Sequence, residues 1–240
     1  MAAPDSIVII SARMNGNGNR ILGDGANFEL ARRDMVARQI CERGVRSARV
    51  LAAMESVPRH LFVPPERVSD AYADEALAIG KGQTISQPYV VAASVEALSL
   101  EGHERVLEIG AGTGYQAAVL SLLAREVIAL EVIPALAASA RERLARLGYA
   151  NVRVEKGDGS QGFAGCAPLD AILVAAAAPA VPQPLVDQLV EGGRLVIPVG
   201  VADHQQLIRI VKERGRTIEQ ELFACRFVPL VGRYGWPESC

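Results

Sequence analysis

The most informative segment of the sequence is Val106-Leu107-Glu108-Ile109-Gly110-Ala111-Gly112-Thr113-Gly114. Its first four residues predict a short buried strand, and the three glycines at alternate positions predict a sharp turn into a helix. Glycines so placed let the backbone pass close to a ligand. The loop departs from the GxGxxG pattern of dinucleotide-binding proteins, because position 115 would need glycine and holds Tyr115.

The sequence that follows this loop alternates between short apolar runs and helical patterns. We predict strands near 126–130, 151–155, 170–174 and 194–198, helices over 115–124, 134–147 and 184–190, and two further strands near 207–212 and 217–226. Short links between alternating strands and helices predict a doubly wound, mostly parallel sheet covered on both faces. The last two strands predict an antiparallel C-terminal end of that sheet.

The sequence before the loop has a different character. Residues 1–28 contain Asn-Gly and Gly-Asp-Gly turns and predict a flexible leader. Residues 29–57 predict two helices, which end at Gly44 and before Pro58. Residues 58–87 predict irregular structure, and Pro88 suits the first turn of another helix.

Composition narrows the class of protein. The chain has 240 residues, of which 50% are hydrophobic, so it can bury the core of one domain. The net charge of −2 disfavours a nucleic-acid partner. The four cysteines and three histidines show no metal-ligand spacing, and the apolar runs are too short to span a bilayer. We therefore expect a cytoplasmic monomer without a metal, a membrane or a nucleic-acid partner.

Three acidic residues point to a cofactor at the strand ends. Glu131 ends the strand after the loop, where a carboxylate can accept hydrogen bonds from both ribose hydroxyls. Asp158, between two glycines, can accept a hydrogen bond from an adenine amino group. Glu108 disfavours a pyrophosphate and suits a sulfonium or amino group, so the set favours S-adenosylmethionine over NAD. The alternatives are a loop that binds nothing, a surface carboxylate at Glu131 and a plain Asp-Gly turn at Asp158.

Four further segments follow the order and spacing of a known family. They are VPRHLFVP at 57–64, GQTISQP at 82–88, AAAAPAVP at 175–182 and GGRLVIPVG at 192–200. With the glycine loop, they make the chain similar to the protein-L-isoaspartate O-methyltransferases over about residues 29–236.

This resemblance implies a Rossmann-like methyltransferase with extra N-terminal helices. It also implies S-adenosylmethionine as the cofactor and S-adenosylhomocysteine as the product. The implied reaction methylates the free carboxylate of L-isoaspartyl residues in damaged proteins and peptides, which initiates their repair or degradation.

The resemblance also implies the site residues. The family's catalytic serine matches Ser86. A carboxylate with a pKa of ~4 needs no base at neutral pH, so the hydroxyl would hold one carboxylate oxygen while the other attacks. The alternative is that Ser86 only caps the helix at Pro88. The implied cofactor contacts are Thr84, Glu108, Gly110, Ala111, Gly112, Gly114, Glu131, Asp158, Gly159 and Gln206.

We therefore expect a single methyltransferase domain over 29–240. Within it, 29–100 would supply the helices and a substrate loop, 101–200 the cofactor-binding core and 201–240 the last strands and tail. Phe163, where the family more often has tryptophan, and the loop 200–206, which is poorer in glycine, bear on substrate affinity and peptide preference.

Two rival functions are a methyltransferase for a small molecule or RNA and a fold that binds without catalysis. The first has no reason to carry the segment GQTISQP, and the second would tolerate the loss of Ser86 or Glu131, which are both present.

Overall fold

The computed structural model describes residues 22–201 and 203–237, and its N-terminal part is mainly helical. In chain order the elements are α1 (Leu22–Asp34), which continues as π-helical turns over Met35–Cys41, α2 (Ala48–Ser56), β1 (Leu77–Gly80), β2 (Gln83–Ile85) and α3 (Pro88–Ala97). The two helices predicted before Pro58 are confirmed. Helix α1 begins inside the expected leader, and residues 1–21 lie outside the described residues.

Local chemistry explains where two of these helices begin. The Ser47 hydroxyl accepts a hydrogen bond from the Val50 amide at 3.4 Å and so caps α2, whose residues Val50, Ala53 and Met54 are buried. Pro88 stands in the first turn of α3, as predicted.

The antiparallel hairpin of β1 and β2 was not predicted, because its strands are too short to show alternation. Thr84 lies on β2, and Ser86 directly follows this strand.

The second half of the chain forms a seven-stranded sheet flanked by helices. Its elements are β3 (Arg105–Ile109), α4 (Tyr115–Ser121), β4 (Glu126–Glu131), α5 (Pro134–Arg146), β5 (Val152–Lys156), β6 (Leu169–Val174), α6 (Gln183–Asp187), β7 (Leu189–Val201), β8 (His204–Glu213) and β9 (Arg216–Cys225). The strand order is β5-β4-β3-β6-β7-β8-β9, parallel from β5 to β7 and antiparallel from β7 to β9. The predicted fold class is confirmed.

Strand β7 differs most in length from its prediction, and the helix predicted over 184–190 ends already at Asp187. The strand predicted near 194–198 begins at Leu189, because its register with β6 shifts between Leu189 and Arg194 around a pair of glycines.

The topology fixes where a ligand can bind. Strand β3 lies between β4 and β6, so the connections leave it in opposite directions and a crevice opens at the carboxyl ends of these strands. From Val106 to Ile109 the strand is buried, as expected for a parallel strand covered on both faces. Within the described ranges, no helix has both the length and the apolar character needed to cross a membrane.

Candidate functional site

The crevice at the switch point is a cavity of about 380 Å³. Most of the predicted site residues meet in its wall: Thr84, Ser86, Glu108, Gly110, Ala111, Gly112, Glu131 and Gly159. The wall does not include Gly114, Asp158 or Gln206. Other residues of the wall were missed by the sequence analysis, among them Gln83, Tyr115, Gln116 and the segment Val228–Val231.

The glycine loop is anchored to the neighbouring strand. The amides of Gly110 and Ala111 both donate to the Leu130 carbonyl, at 2.8 and 3.0 Å. Gly110 has a φ of +92°, which favours glycine. A Cβ at Gly114 would lie 2.9 Å from Leu144 Cδ1, so this glycine lets α4 pack closely on α5 instead of lining the cavity.

Glu131 organises the loop from the end of β4. Its side chain is only 5% exposed, so the surface-carboxylate alternative is wrong. One carboxylate oxygen accepts the Gly112 amide at 2.8 Å and the other accepts the Ile133 amide at 3.0 Å. Each oxygen keeps a further lone pair, so the carboxylate can also accept hydrogen bonds from ligand hydroxyls.

Glu108 is a fully buried carboxylate in the same wall. Among the described residues neither of its oxygens has a hydrogen-bond partner. Burial raises the pKa of Glu108 well above its ordinary value; the Gln116 amide opposes this shift and the Glu131 carboxylate adds to it. An unpartnered buried carboxylate is costly, and a positive group in the cavity would stabilise its ionised form. The two carboxylates therefore fit a ligand that carries both hydroxyls, which donate hydrogen bonds, and a positive charge.

Ser86 stands between this cavity and a second space. A groove of about 670 Å³ lies on its other side, and Thr84, Ser86, Ala175 and Val228 line both spaces. The capping alternative for Ser86 is wrong, because the N-cap of α3 is Gln87 and no side chain caps that helix. Ser86 therefore lies where a ligand in the cavity can contact a ligand in the groove.

Polar and aromatic side chains close the far wall of the groove. The Arg43 guanidinium lies 3.7 Å from the centre of the Tyr89 ring and forms an ion pair with Asp74 at 3.0 Å. The Gln87 amide donates to the same carboxylate at 2.8 Å. This network ties the residue after Ser86 to the loop before the hairpin.

Arg59, which the sequence analysis missed, forms a hydrogen bond with the backbone of Ser86. Its side chain is fully buried, and its Nη2 and Nε donate to the carbonyls of Ser86 and Ala71, each at 2.8 Å. The guanidinium also lies 4.8 Å from the centre of the Tyr115 ring. Burial lowers the pKa of Arg59 from its usual value. The available signal was an arginine inside the apolar segment 57–64.

Two expected contacts point elsewhere. The Asp158 carboxylate accepts hydrogen bonds from Ser160, Gln161 and Arg233. On β8, Gln206 pairs with Val199 of β7. Its neighbour Gln205 turns inward, where its side chain forms hydrogen bonds with the backbone of Phe227. Gln206 was expected from the family resemblance, which does not fix the face of each residue on a strand, and a shift of one residue changes that face.

Among the residues that the structure describes, no group of three or more acidic, histidine or cysteine side chains could hold a metal ion.

The sheet order, the glycine loop and the acidic residues at the strand ends together define a Rossmann-like methyltransferase. A family model described as protein-L-isoaspartate(D-aspartate) O-methyltransferase matches residues 31–235. The chain therefore belongs to the protein-L-isoaspartate O-methyltransferase family, as predicted, and is an enzyme of that class.

Individual relatives agree with this assignment. A protein-L-isoaspartate O-methyltransferase of Methanoculleus marisnigri is 53% identical over 85% of this chain and 93% of its own length. One from Rhodopseudomonas palustris is 53% identical over 93% of both chains.

Two solved structures are similar across most of the fold. A protein-L-isoaspartate O-methyltransferase has a TM-score of 0.77 at 30% identity and covers 85% of this chain and 67% of its own. A Plasmodium falciparum protein, described as a putative member in complex with S-adenosyl-L-homocysteine, has a TM-score of 0.70 at 27% identity over 82% of this chain and 96% of its own.

Proposed function

We propose that this enzyme binds S-adenosylmethionine in the 380 Å³ cavity and an isoaspartyl residue of a damaged protein in the adjoining groove. When bound, the cofactor supplies a methyl group activated by a sulfonium. Glu131 holds the ribose hydroxyls, and the loop Gly110–Gly112 brings backbone close to the cofactor. Glu108 stabilises the cofactor's positive end, which relieves the cost of its own buried charge.

Ser86 orients the attacking carboxylate. A carboxylate is ionised at neutral pH, with a pKa of ~4, so the site needs no general base. The hydroxyl donates to one carboxylate oxygen and leaves the other free to attack the methyl carbon in line. The observation that carries this proposal is the position of Ser86 on the boundary that the two spaces share.

The groove supports selectivity for isoaspartyl over aspartyl residues. The two differ by one methylene that is moved between the backbone and the side chain. A groove that holds the backbone brings only one of these carboxylates to the methyl group. We also propose that the enzyme is a cytoplasmic monomer that acts on proteins and peptides. Its net charge of −2 disfavours nucleic acids as substrates. The methyl ester that it forms initiates repair or degradation of the damaged chain.

The variant Ser86→Ala tests the assigned role. Turnover of an isoaspartyl peptide should fall by about 10²-fold, because a poorly oriented carboxylate rarely meets the methyl group in line. Affinity for S-adenosylhomocysteine, measured by calorimetry, should stay unchanged. The exposed Ser56 on α2 lies outside both spaces, so Ser56→Ala is the matched control. Lost cofactor affinity in Ser86→Ala with an intact fold would contradict the role.

A further inference from the structure

The C-terminal segment Arg226–Trp236, called the strap below, forms one wall of the cofactor cavity. Its residues Val228 to Val231 all line the cavity. Near this wall, the Ala177 amide donates to the Val228 carbonyl, and the Ala177 carbonyl accepts the Leu230 amide, both at 2.8 Å. The Trp236 indole donates to the same carbonyl at 3.0 Å. A bound cofactor is therefore enclosed by a segment that comes from the far end of the chain.

Two side chains from the opposite side of the site hold the outer part of the strap. Asp158 Oδ2 accepts the Arg233 amide at 2.9 Å, and Ser160 Oγ accepts the Tyr234 amide at 3.0 Å. The strap approaches them closely, because a Cβ at Gly232 would lie 1.9 Å from Asp158 Oδ1. Consecutive amides of the strap are thus bound by residues that follow β5.

The Asp158 carboxylate has no acceptor position left for a ligand. Oδ1 accepts the amide and the hydroxyl of Ser160, at 3.0 and 2.6 Å. Oδ2 accepts the Gln161 side chain and the Arg233 amide, both at 2.9 Å. These four bonds use the four lone-pair positions of a carboxylate. Burial alone would raise the pKa of Asp158, but these bonds, led by that from Arg233, lower it below its ordinary value.

We propose that Asp158 and Ser160 are positioning residues that latch the strap over the cofactor and so set how fast the cofactor product leaves. Asp158 then acts on cofactor binding through the strap and not by contact with the adenine amino group. The inference rests on the proposed cofactor, because a nucleoside ligand in this cavity contacts the strap, and movement of the strap opens one wall of the cavity for its release. Loss of the latch bonds makes that movement easier.

Amide hydrogen exchange, resolved by residue, tests the latch without any ligand. Asp158→Asn keeps the shape of the side chain but replaces one acceptor oxygen with a donor that faces other N–H groups. The Arg233 and Tyr234 amides should exchange about tenfold faster or more, since bonds to a charged group are the stronger ones. Ser160→Ala removes the acceptor for Tyr234 and should have a smaller effect in the same direction. It carries the test if Asp158→Asn does not fold.

Dissociation of S-adenosylhomocysteine tests the consequence. Release should be about tenfold faster in Asp158→Asn and should also accelerate in Ser160→Ala. An analogue with hydrogen in place of the adenine amino group separates the latch from direct contact. The latch requires that Asp158→Asn speeds the release of both ligands by the same factor. Glu131→Ala is the control, because it should weaken binding without a change in exchange at Arg233 or Tyr234.

Two results would overturn the latch. One is unchanged exchange of the Arg233 and Tyr234 amides in a folded Asp158→Asn protein. The other is an effect of that variant on S-adenosylhomocysteine alone, which would assign Asp158 a direct contact with the amino group. Failure of the unmodified protein to bind S-adenosylhomocysteine would instead contradict the proposed function.

Discussion

The cofactor half and the catalytic half of the site are built differently. The cofactor half runs from Glu108 to Gly159 in one stretch, and backbone bonds between neighbouring strands hold it. The catalytic half brings together Arg59, Ser86 and the groove residue Phe223, which are far apart in the sequence. The residues of the cofactor half lie within one part of the sequence, at the carboxyl ends of neighbouring strands. The residues of the catalytic half come together only when the chain folds.

This difference predicts that the two halves can be damaged separately. Substitutions at residues that hold Ser86 in place, such as Arg59, should lower turnover and leave cofactor affinity unchanged. Changes at the strand ends should act on cofactor affinity and spare turnover at saturation.

Arg59→Met should have the largest effect. The substitution keeps much of the side-chain volume but leaves the buried carbonyls of Ser86 and Ala71 without their donor. Turnover should fall by about 10²-fold while affinity for S-adenosylhomocysteine is kept. Arg59→Lys should recover part of the turnover, because lysine keeps the charge but lacks the planar fork. Unchanged turnover in a folded Arg59→Met protein would contradict the positioning role.

Glu131→Ala should weaken the cofactor half. It removes the proposed ribose acceptor and frees the Gly112 amide, so affinity for S-adenosylhomocysteine should fall by about 1–3 kcal/mol. Turnover at saturating cofactor should change little. Glu142→Ala, on the exposed face of α5, is the control. An unchanged dissociation constant would show that Glu131 only organises the loop.

Gly159→Ala should destabilise the floor of the cavity. A Cβ there would lie 2.2 Å from Ile109 Cγ2, and the branched isoleucine cannot turn away easily. The free energy of unfolding should fall by about 1–3 kcal/mol in denaturant titrations. Gly165→Ala is a matched control, since its Cβ would meet nothing within 4 Å. Equal stability of the two variants would contradict this packing argument.

Glu108 should give the smallest effect, a pH dependence of binding. Burial raises its pKa in the empty site, and a bound cation favours the ionised form. At a pH between the pKa of Glu108 without the ligand and its lower pKa with the ligand bound, binding of S-adenosylmethionine should release a proton. The affinity for S-adenosylmethionine should then fall as the pH falls. Without a ligand, Glu108 stabilises the fold below the ordinary pKa of glutamate, and this contribution is lost as the pH rises toward the raised value.

Calorimetry in two buffers of different ionisation enthalpy measures the proton release. Glu108→Gln should abolish it, because glutamine does not titrate. The same release in this variant would assign the proton to another group.

The sequence allowed the cofactor half to be predicted because its signals are local. A strand that ends in alternating glycines places the loop, and the next strand end places Glu131 beside it. The hairpin that carries Ser86 could not be predicted, since its strands have only three or four residues. The partners of Arg59 depend on that hairpin. The partners of Asp158 come from the strap, which no local pattern connects to β5.

The strand that carries Gln205 and Gln206 shows a second limit. Both residues have the same chemistry, and only the register of β8 decides which one turns inward. The family resemblance identified this segment but not the face of each residue.

Methyl transfer to a matched pair of peptides measures whether the enzyme selects isoaspartyl residues. The purified protein is given labelled S-adenosylmethionine with an isoaspartyl peptide or with its normal aspartyl twin. We expect the isoaspartyl peptide to be methylated and its aspartyl twin not to be, because the groove brings only one of the two carboxylates to the methyl group. Equal methylation of both peptides, or of neither by a protein that binds the cofactor, would contradict it.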